Sequence, residues 1–427
     1  MGDMTTGDIG AAIRGPTSER ATTSYVVLLA AMLSFNLMDR QLLAVVAEPI
    51  KIEFGLTDTE LGLLTGLIFA ALYGLASVPI AWLADRWNRV GILTVCGTAW
   101  ALTTAATGAV TNFVQLAATR AGLAIGEAGC NPCAQSLIAG YVPPERRGRA
   151  LAIYSMSGPI GFLVVGIVGG GLSDRFGWRV AFLALGAASL ICAFLCATIL
   201  PEPPRAAAAP EPDAKAEGAY RRLIGKPTFQ HFLFATAYAS IATYGISAWA
   251  TVFMIRYFQW TPGQVGLVFG SLGTVAGLFG TWFGGRLSDR LMVRDRRAAM
   301  WIAAAGCAAV IPFDIAGALA GTITIIYVTS PAGVFCRTII LAPAAATLQR
   351  LATDNTRARA AATAGVVGTL LGLGVGPTLV GVLSDVSKTW VAADALRVGL
   401  LILVIPQALS AYHFWRAART VDQDMVE

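Results

Sequence analysis

The sequence predicts an all-α membrane protein with twelve transmembrane helices in two pseudo-symmetric six-helix bundles. Three observations carry this. The 427 residues are 56% hydrophobic and 13% charged, with a mean hydropathy of +0.65, whereas ordinary soluble domains are about 25% charged. A helical span takes roughly 20 apolar residues and, with short loops, about 35 residues of chain, so this length holds about twelve. The positive charges also fall in alternate connections. So much apolar surface excludes disorder. Seven cysteines in so long a chain exclude a secreted disulfide scaffold. The net charge of +6 and pI near 9.0 do not point to nucleic acid, because the charge sits in short loops.

Residues 1–23 are polar and carry Arg14 and Arg20. They do not read as a cleaved signal peptide, since the apolar stretch that follows is too long and contains Asp39 and Arg40. Hydropathy and turn residues predict helices 1–6 at 24–48, 60–82, 91–110, 113–140, 149–172 and 178–200. Residues 201–228 open with Pro201-Glu-Pro-Pro-Arg-Ala and read as a Pro/Ala linker too polar to span. Helices 7–12 are predicted at 229–256, 262–286, 298–320, 322–349, 357–384 and 393–416, followed by a tail at 417–427. The expected domains are thus a tail, a bundle over 24–200, the linker, a bundle over 229–416 and a second tail.

Orientation follows from the arginines. One set of connections holds Arg86 and Arg89, then Arg146, Arg147 and Arg149, then the linker with Arg205, Lys215, Arg221, Arg222 and Lys226. It continues with Arg286, Arg290, Arg294, Arg296 and Arg297, then Arg350, Arg357 and Arg359, and includes both tails. The opposite set holds only Lys51, Arg175, Arg179, Arg256, Lys388 and Arg397. The positive-inside rule therefore places both termini in the cytoplasm, as expected for a multi-pass inner-membrane protein.

The halves repeat each other weakly. Leu83-Ala-Asp85-Arg86 after helix 2 matches Leu287-Ser-Asp289-Arg290 after helix 8. Gly158-Pro159 in helix 5 matches Gly376-Pro377 in helix 11, and these helices end in Ser173-Asp174 and Ser384-Asp385. Parallel repeats imply a pseudo-two-fold axis along the membrane normal and a central site between the halves.

These residues resemble the major facilitator superfamily over nearly the whole chain. Leu83-Ala-Asp85-Arg86-Trp-Asn88-Arg89 looks like its signature loop, with Ala81 and Asn88 where glycine is usual and Val90 where a basic residue is usual. The resemblance implies a cytoplasmic gate at Asp85 and Arg86, with Asp289 and Arg290 as its counterpart. A narrower resemblance, to the spinster branch, rests on Asn36-Leu-Met-Asp39-Arg40 and Gly122-Leu-Ala-Ile-Gly126-Glu127-Ala128. It implies transport of an amphipathic, lipid-like molecule such as a lysolipid or sphingoid phosphate.

Five ionisable residues fall well inside predicted spans: Asp39, Arg40, Arg120, Glu127 and Arg337. A charge at the bilayer centre costs at least ~2.5–3.5 kcal/mol, so such residues face a cavity or one another and are functional by default. At 1.5 Å per residue, Asp39 lies roughly 22 Å in from the cytoplasm and Arg120 roughly 10 Å below the outer surface, at similar levels. Glu127 shares a face with Arg120 about 10 Å deeper. An Asp39–Arg120 ion pair is expected, with Glu127 a second acceptor for Arg120 or Arg40. A carboxylate held by arginine stays ionised, and one released from it in a dry site takes up a proton. Asp39, Glu127 and Arg120 are therefore the expected proton-coupling set. Arg40, Arg120, Arg337 and Tyr244 are the expected substrate contacts, and Asp314 is read as interfacial.

Other motifs carry less. Cys130-Asn-Pro-Cys133 has C-x-x-C spacing, but the two histidines, His231 and His413, lie in separate helices, so no metal site is expected. No hydrolase triad or phosphate loop occurs, and no enzyme or ATP-driven pump is predicted. The glycines of helices 5 and 11 suit close packing and also sliding. The expectation is a secondary transporter using alternating access, monomeric, with no cofactor and protons as coupling ion. Its partners would be a small amphipathic or anionic substrate and membrane lipids, and no nucleic acid. An organic-anion:proton symporter and a drug/proton antiporter are the alternatives.

Overall fold

A computed structural model describes residues 19–204, 214–353 and 356–425, without the side chains of Asp85, of 214–216 and of Ala358. Arg14, Arg205 and the side chain of the expected gate residue Asp85 lie outside the described residues.

Among the described residues, ten stretches are long and apolar enough to cross a membrane, and one of them, Arg359–Asp424, takes in both helices 11 and 12. Helix 4, in two pieces Phe113–Glu127 and Cys130–Tyr141, makes twelve. Helices 1, 3 and 6 are Glu19–Val45, Arg89–Thr107 and Trp178–Ile199; helices 7, 9 and 11 are Pro227–Phe258, Ala298–Ala318 and Arg357–Val391. Helix 2 runs Asp58–Thr65 and Leu67–Arg86, helix 10 Ile323–Thr338 and Leu341–Leu351, and helix 12 Ala395–Leu401 and Val404–Asp424. Helices 5 and 8 each contain a π-helical turn, at Val165–Gly169 and Gly266–Gly270.

Local sequence sets many of these ends. Thr57 and Thr261 open helices 2 and 8 with capping boxes closed by Glu60 and Gln264, each supplying orphan backbone N–H groups with acceptors. Asn88 and Asn112 cap helices 3 and 4. Gly55 (φ 65°) ends the short helix Ala47–Phe54 in the left-handed region that glycine tolerates best.

The linker differs from expectation. Ala214–Gly225 is an amphipathic helix rather than plain connector. Its Leu223 is buried in the C-terminal core, the Tyr220 hydroxyl bonds Thr363 at 2.5 Å, and Glu217 pairs with Arg359 at 2.8 Å. Pro/Ala composition concealed this, because the contact rests on scattered residues of the helix, Glu217, Tyr220 and Leu223 among them.

The halves touch through matched helix crossings. Helix 5 crosses helix 8 at Gly166 and Gly266, where a Cβ on Gly266 would strike the Gly166 backbone. Helix 11 crosses helix 2, where a Cβ on Gly381 would strike the Asp58 carbonyl. Small residues at such crossings let backbones approach closely. The outer surface is apolar, with Leu75, Val78 and Phe194 all exposed, as a lipid-facing surface must be.

Candidate functional site: a central cavity and a far-face lock

Helices 1, 2, 4, 5, 7 and 11 enclose a cavity of ≈ 110 Å³ at mid-membrane between the halves. Arg40, Gln41, Thr65, Arg120, Tyr244 and Ser247 supply its polar lining, and Leu37, Phe69, Phe162 and Leu373 its apolar lining. Three of the four expected substrate contacts therefore meet there. Arg337 does not. It lines a separate cavity of ≈ 120 Å³ inside the C-terminal half and donates to both oxygens of Asp314 at 2.8 and 2.7 Å. Gln407 of helix 12 also donates to Asp314. Arg337 is turned into its own bundle rather than toward the central axis, with Asp314 as its partner.

Of the pairings expected between helices 1 and 4, Arg40 with Glu127 forms and Asp39 with Arg120 does not. Arg40 Nε donates to Glu127 Oε2 at 2.5 Å, and Arg40 Nη2 reaches Asn36 Oδ1 at 3.4 Å. Its guanidinium lies 4.9 Å from the Phe69 ring centroid and 4.6 Å from that of Tyr73, within cation–π range. The expected Asp39–Arg120 ion pair is not formed. Asp39 is fully buried and neither oxygen accepts a hydrogen bond from a described residue; Arg120 Nε and Nη2 likewise donate to none. The two remain electrostatic neighbours, with Thr104 of helix 3 beside Asp39. Asp39 and Arg40 point about 100° apart on helix 1. Only the long Arg40 side chain bridges the step in depth down to Glu127.

The end of the bundle away from the linker is locked by Arg256 and Lys51, which entered above only as topology charges, together with Glu48, Asp58 and Ser384. Arg256, at the end of helix 7, donates from Nε and Nη2 to Glu48 at 2.8 and 2.7 Å. It also donates from Nη1 and Nη2 to Asp58 at 3.0 and 2.7 Å. Asp58 is fully buried and accepts further bonds from Lys51 and from Ser384 Oγ at 2.6 Å. Glu48, Lys51 and Asp58 belong to the first half, and Arg256 and Ser384 to the second.

The repeated Ser-Asp ends of helices 5 and 11 now have a purpose. Asp385 accepts from the Asp58 and Thr59 backbone N–H groups at 3.2 and 2.6 Å, so it caps helix 2 of the opposite half. Asp174 accepts from Thr261 Oγ1 and the Gly263 N–H at 2.7 and 3.0 Å, capping helix 8 of the opposite half. Each carboxylate meets a helix N-terminus, where the dipole and free N–H groups favour negative charge. Asp289 and Arg290, the expected gate pair of the second half, are exposed at the linker face, on the end opposite this lock.

A bundle of two six-helix repeats around a central cavity, locked at one face, defines a class: a transporter rather than an enzyme. Residues 29–378 match the Major Facilitator Superfamily. The chain belongs to that superfamily. Among its relatives it is 33% identical over 409 residues to an "MFS-type efflux pump" of Mycolicibacterium smegmatis, covering 96% of this chain and 95% of that one. It is also similar to spinster proteins: 27% identical over 436 residues to "Protein spinster homolog 1" of Mus musculus, 94% of this chain and 82% of that one. A bacterial homologue of the human lysosomal transporter spinster, solved in an inward-facing and unoccupied conformation, superposes with a TM-score of 0.87. It is 27% identical over 95% of this chain and 99% of that one.

Proposed function

We propose that this chain is a proton-coupled secondary transporter of an amphipathic, lipid-like molecule with an anionic head, set in the inner membrane with both termini cytoplasmic. The observation that carries the reading is Arg120: a buried guanidinium at the central cavity with two unpaired nitrogens. A buried cation with unpaired donors invites an anionic group. Phe69, Phe162 and Leu373 offer the apolar wall that an acyl or sphingoid chain needs. The resemblance of the helix 1 and helix 4 motifs to the spinster branch implies the same substrate class.

The far-face lock fits an inward-facing state, as does the likeness to the inward-facing homologue. Asp39 and Glu127 would serve as the proton switch through exchange of their arginine partners. With Arg40 on Glu127, Asp39 is the carboxylate without a partner and so the site of proton uptake. Protonation shifts a conformational equilibrium only through its different affinity for the two states. Asp85 and Arg86, with Asp289 and Arg290, would close the cytoplasmic face once the lock opens.

The test is uptake by proteoliposomes under an imposed pH gradient, with a panel of lysolipids, organic anions and lipophilic cations. The account expects lysolipid movement that follows the gradient and stops when it is collapsed. Movement of lipophilic cations alone would favour a drug/proton antiporter, a reading to which the efflux-pump name of the 33%-identical relative lends weight. Movement of small organic anions alone would favour a symporter.

A further inference from the structure

A second groove lies outside the transport path. Helices 8, 9 and 10 enclose an apolar recess of ≈ 520 Å³ at the linker face, opening onto the lipid-facing surface. Ala298, Ile302, Ala305, Gly306 and Ala309 line it along one face of helix 9, and its floor includes Ile339 of helix 10. A side chain on Gly306 would strike Ile339 and Ile340, so glycine here lets helices 9 and 10 approach closely at the floor of the recess. From Ala298 to Ala309 the groove runs about 16 Å, roughly half the hydrocarbon core of a bilayer, the depth of one leaflet. Trp301, 37% exposed, stands at its edge one turn into helix 9, where an interfacial aromatic belongs.

The mouth is net basic. Arg294 and Asp295 line it, with Arg290 and Arg296 next to them in the chain; the three arginines are exposed and, among the described residues, none is in an ion pair. Asp295 accepts from the Arg297 backbone N–H at 2.8 Å, and Arg297 pairs with Asp422. The equivalent loop of the first half shows the contrast: Arg89 is consumed by Glu202, Ser136 and the Pro203 carbonyl. A symmetric dimer across the second-half groove would bring two arginine clusters together, which disfavours a second copy as its occupant.

We propose that the recess between helices 8, 9 and 10 is a binding site for an anionic phospholipid of the surrounding bilayer. Its acyl chain lies along the small residues of helix 9 and its phosphate meets Arg294 and Arg296. Basic pockets between spanning helices at the cytoplasmic face suit such headgroups.

Native mass spectrometry of the full chain, with equimolar phosphatidylglycerol and phosphatidylcholine of identical acyl chains, tests this. Wild type should retain phosphatidylglycerol over phosphatidylcholine by at least about fivefold, the effect of one arginine at a membrane surface. Arg294→Ala with Arg296→Ala should bring the ratio near one, and the same double change to Lys should restore it. Ala305→Trp, at an exposed position, should fill the groove and lower retention of both lipids. Equal retention by wild type would overturn the proposal, as would a preference that survives the double alanine change. Unchanged retention in Ala305→Trp, or a wild-type dimer that this variant dissociates, would also overturn it.

Discussion

The far-face lock and the mid-membrane charge set contain similar residues and treat them oppositely. In the lock, Asp58 is fully buried and surrounded by Arg256, Lys51 and Ser384, while Arg256 serves Glu48 as well. In the mid-membrane set, one pair is closed, Arg40 with Glu127, and beside it Asp39 and Arg120 lie buried with unpaired atoms. A fully satisfied network in a low-dielectric place rigidifies; a partly satisfied one keeps an alternative close in energy. The difference fits the proposed division of roles, in which the lock holds one state and the mid-membrane set chooses between states.

Removing the lock should have the largest effect. Arg256→Gln leaves two acidic groups without their guanidinium, one of them fully buried. Breaking a buried pair costs about 3–5 kcal/mol, so the far face should open by a hundredfold or more in population ratio. Spin labels at exposed Ile52 and Trp390, on opposite halves of that face, would report it as a lengthened distance. An unchanged distance would break the comparison, because the network would then be ornament on a face held shut by helix packing alone.

Within the mid-membrane set, the two carboxylates should separate. Glu127→Gln weakens a charged hydrogen bond to Arg40 and should lower stability by about 1.5–3 kcal/mol. Asp39→Asn removes a charge whose oxygens accept nothing from the described residues, so the unfolding midpoint should stay or rise. Equal losses would mean that Asp39 is held by arginine after all.

The two cross-half caps sharpen the comparison further. Asp174→Asn and Asp385→Asn should each weaken the closed far face by about 1 kcal/mol, the usual size of a cap. Asp385 should cost more, since it also pairs with Lys388 at 2.5 Å. The spin-label distance distribution reads both.

The smallest effect belongs to the linker helix. Hydrogen bonding and charge from Arg359 hold the Glu217 carboxyl below the usual carboxylate range. What that pair adds is present above the unfolded carboxylate's range and is lost as pH falls through Glu217's own. In so exposed a place Glu217→Gln should leave transport and the unfolding midpoint at neutral pH unchanged.

Hydropathy made the twelve helices legible because each must satisfy its backbone inside lipid. Intramembrane charge likewise singled out Asp39, Arg40, Arg120 and Glu127. Their pairing was legible only in part: Glu127 was an expected acceptor for Arg40, but Asp39 and Arg120 do not meet, since depth along a helix says nothing of which neighbour a side chain turns toward. Arg337 shows the same limit: its depth is right for the central cavity and its azimuth is not. The lock escaped notice for another reason. Glu48, Lys51 and Asp58 sit at span ends, where charge is ordinary, and only the docking of two halves makes them one cluster. The Ser-Asp repeat was visible at Asp174 and Asp385, but a cross-half cap is a tertiary fact.

The proposed proton switch is most directly tested by the distance between labels at positions 52 and 390, followed across pH in wild type, Asp39→Asn and Glu127→Gln. The account predicts a pH-dependent balance of open and closed far face in wild type that flattens in both variants, with Arg120→Ala uncoupling it as well. A wild-type pH response retained in both carboxylate variants would contradict the switch and leave these charges as a structural tie between helices 1 and 4.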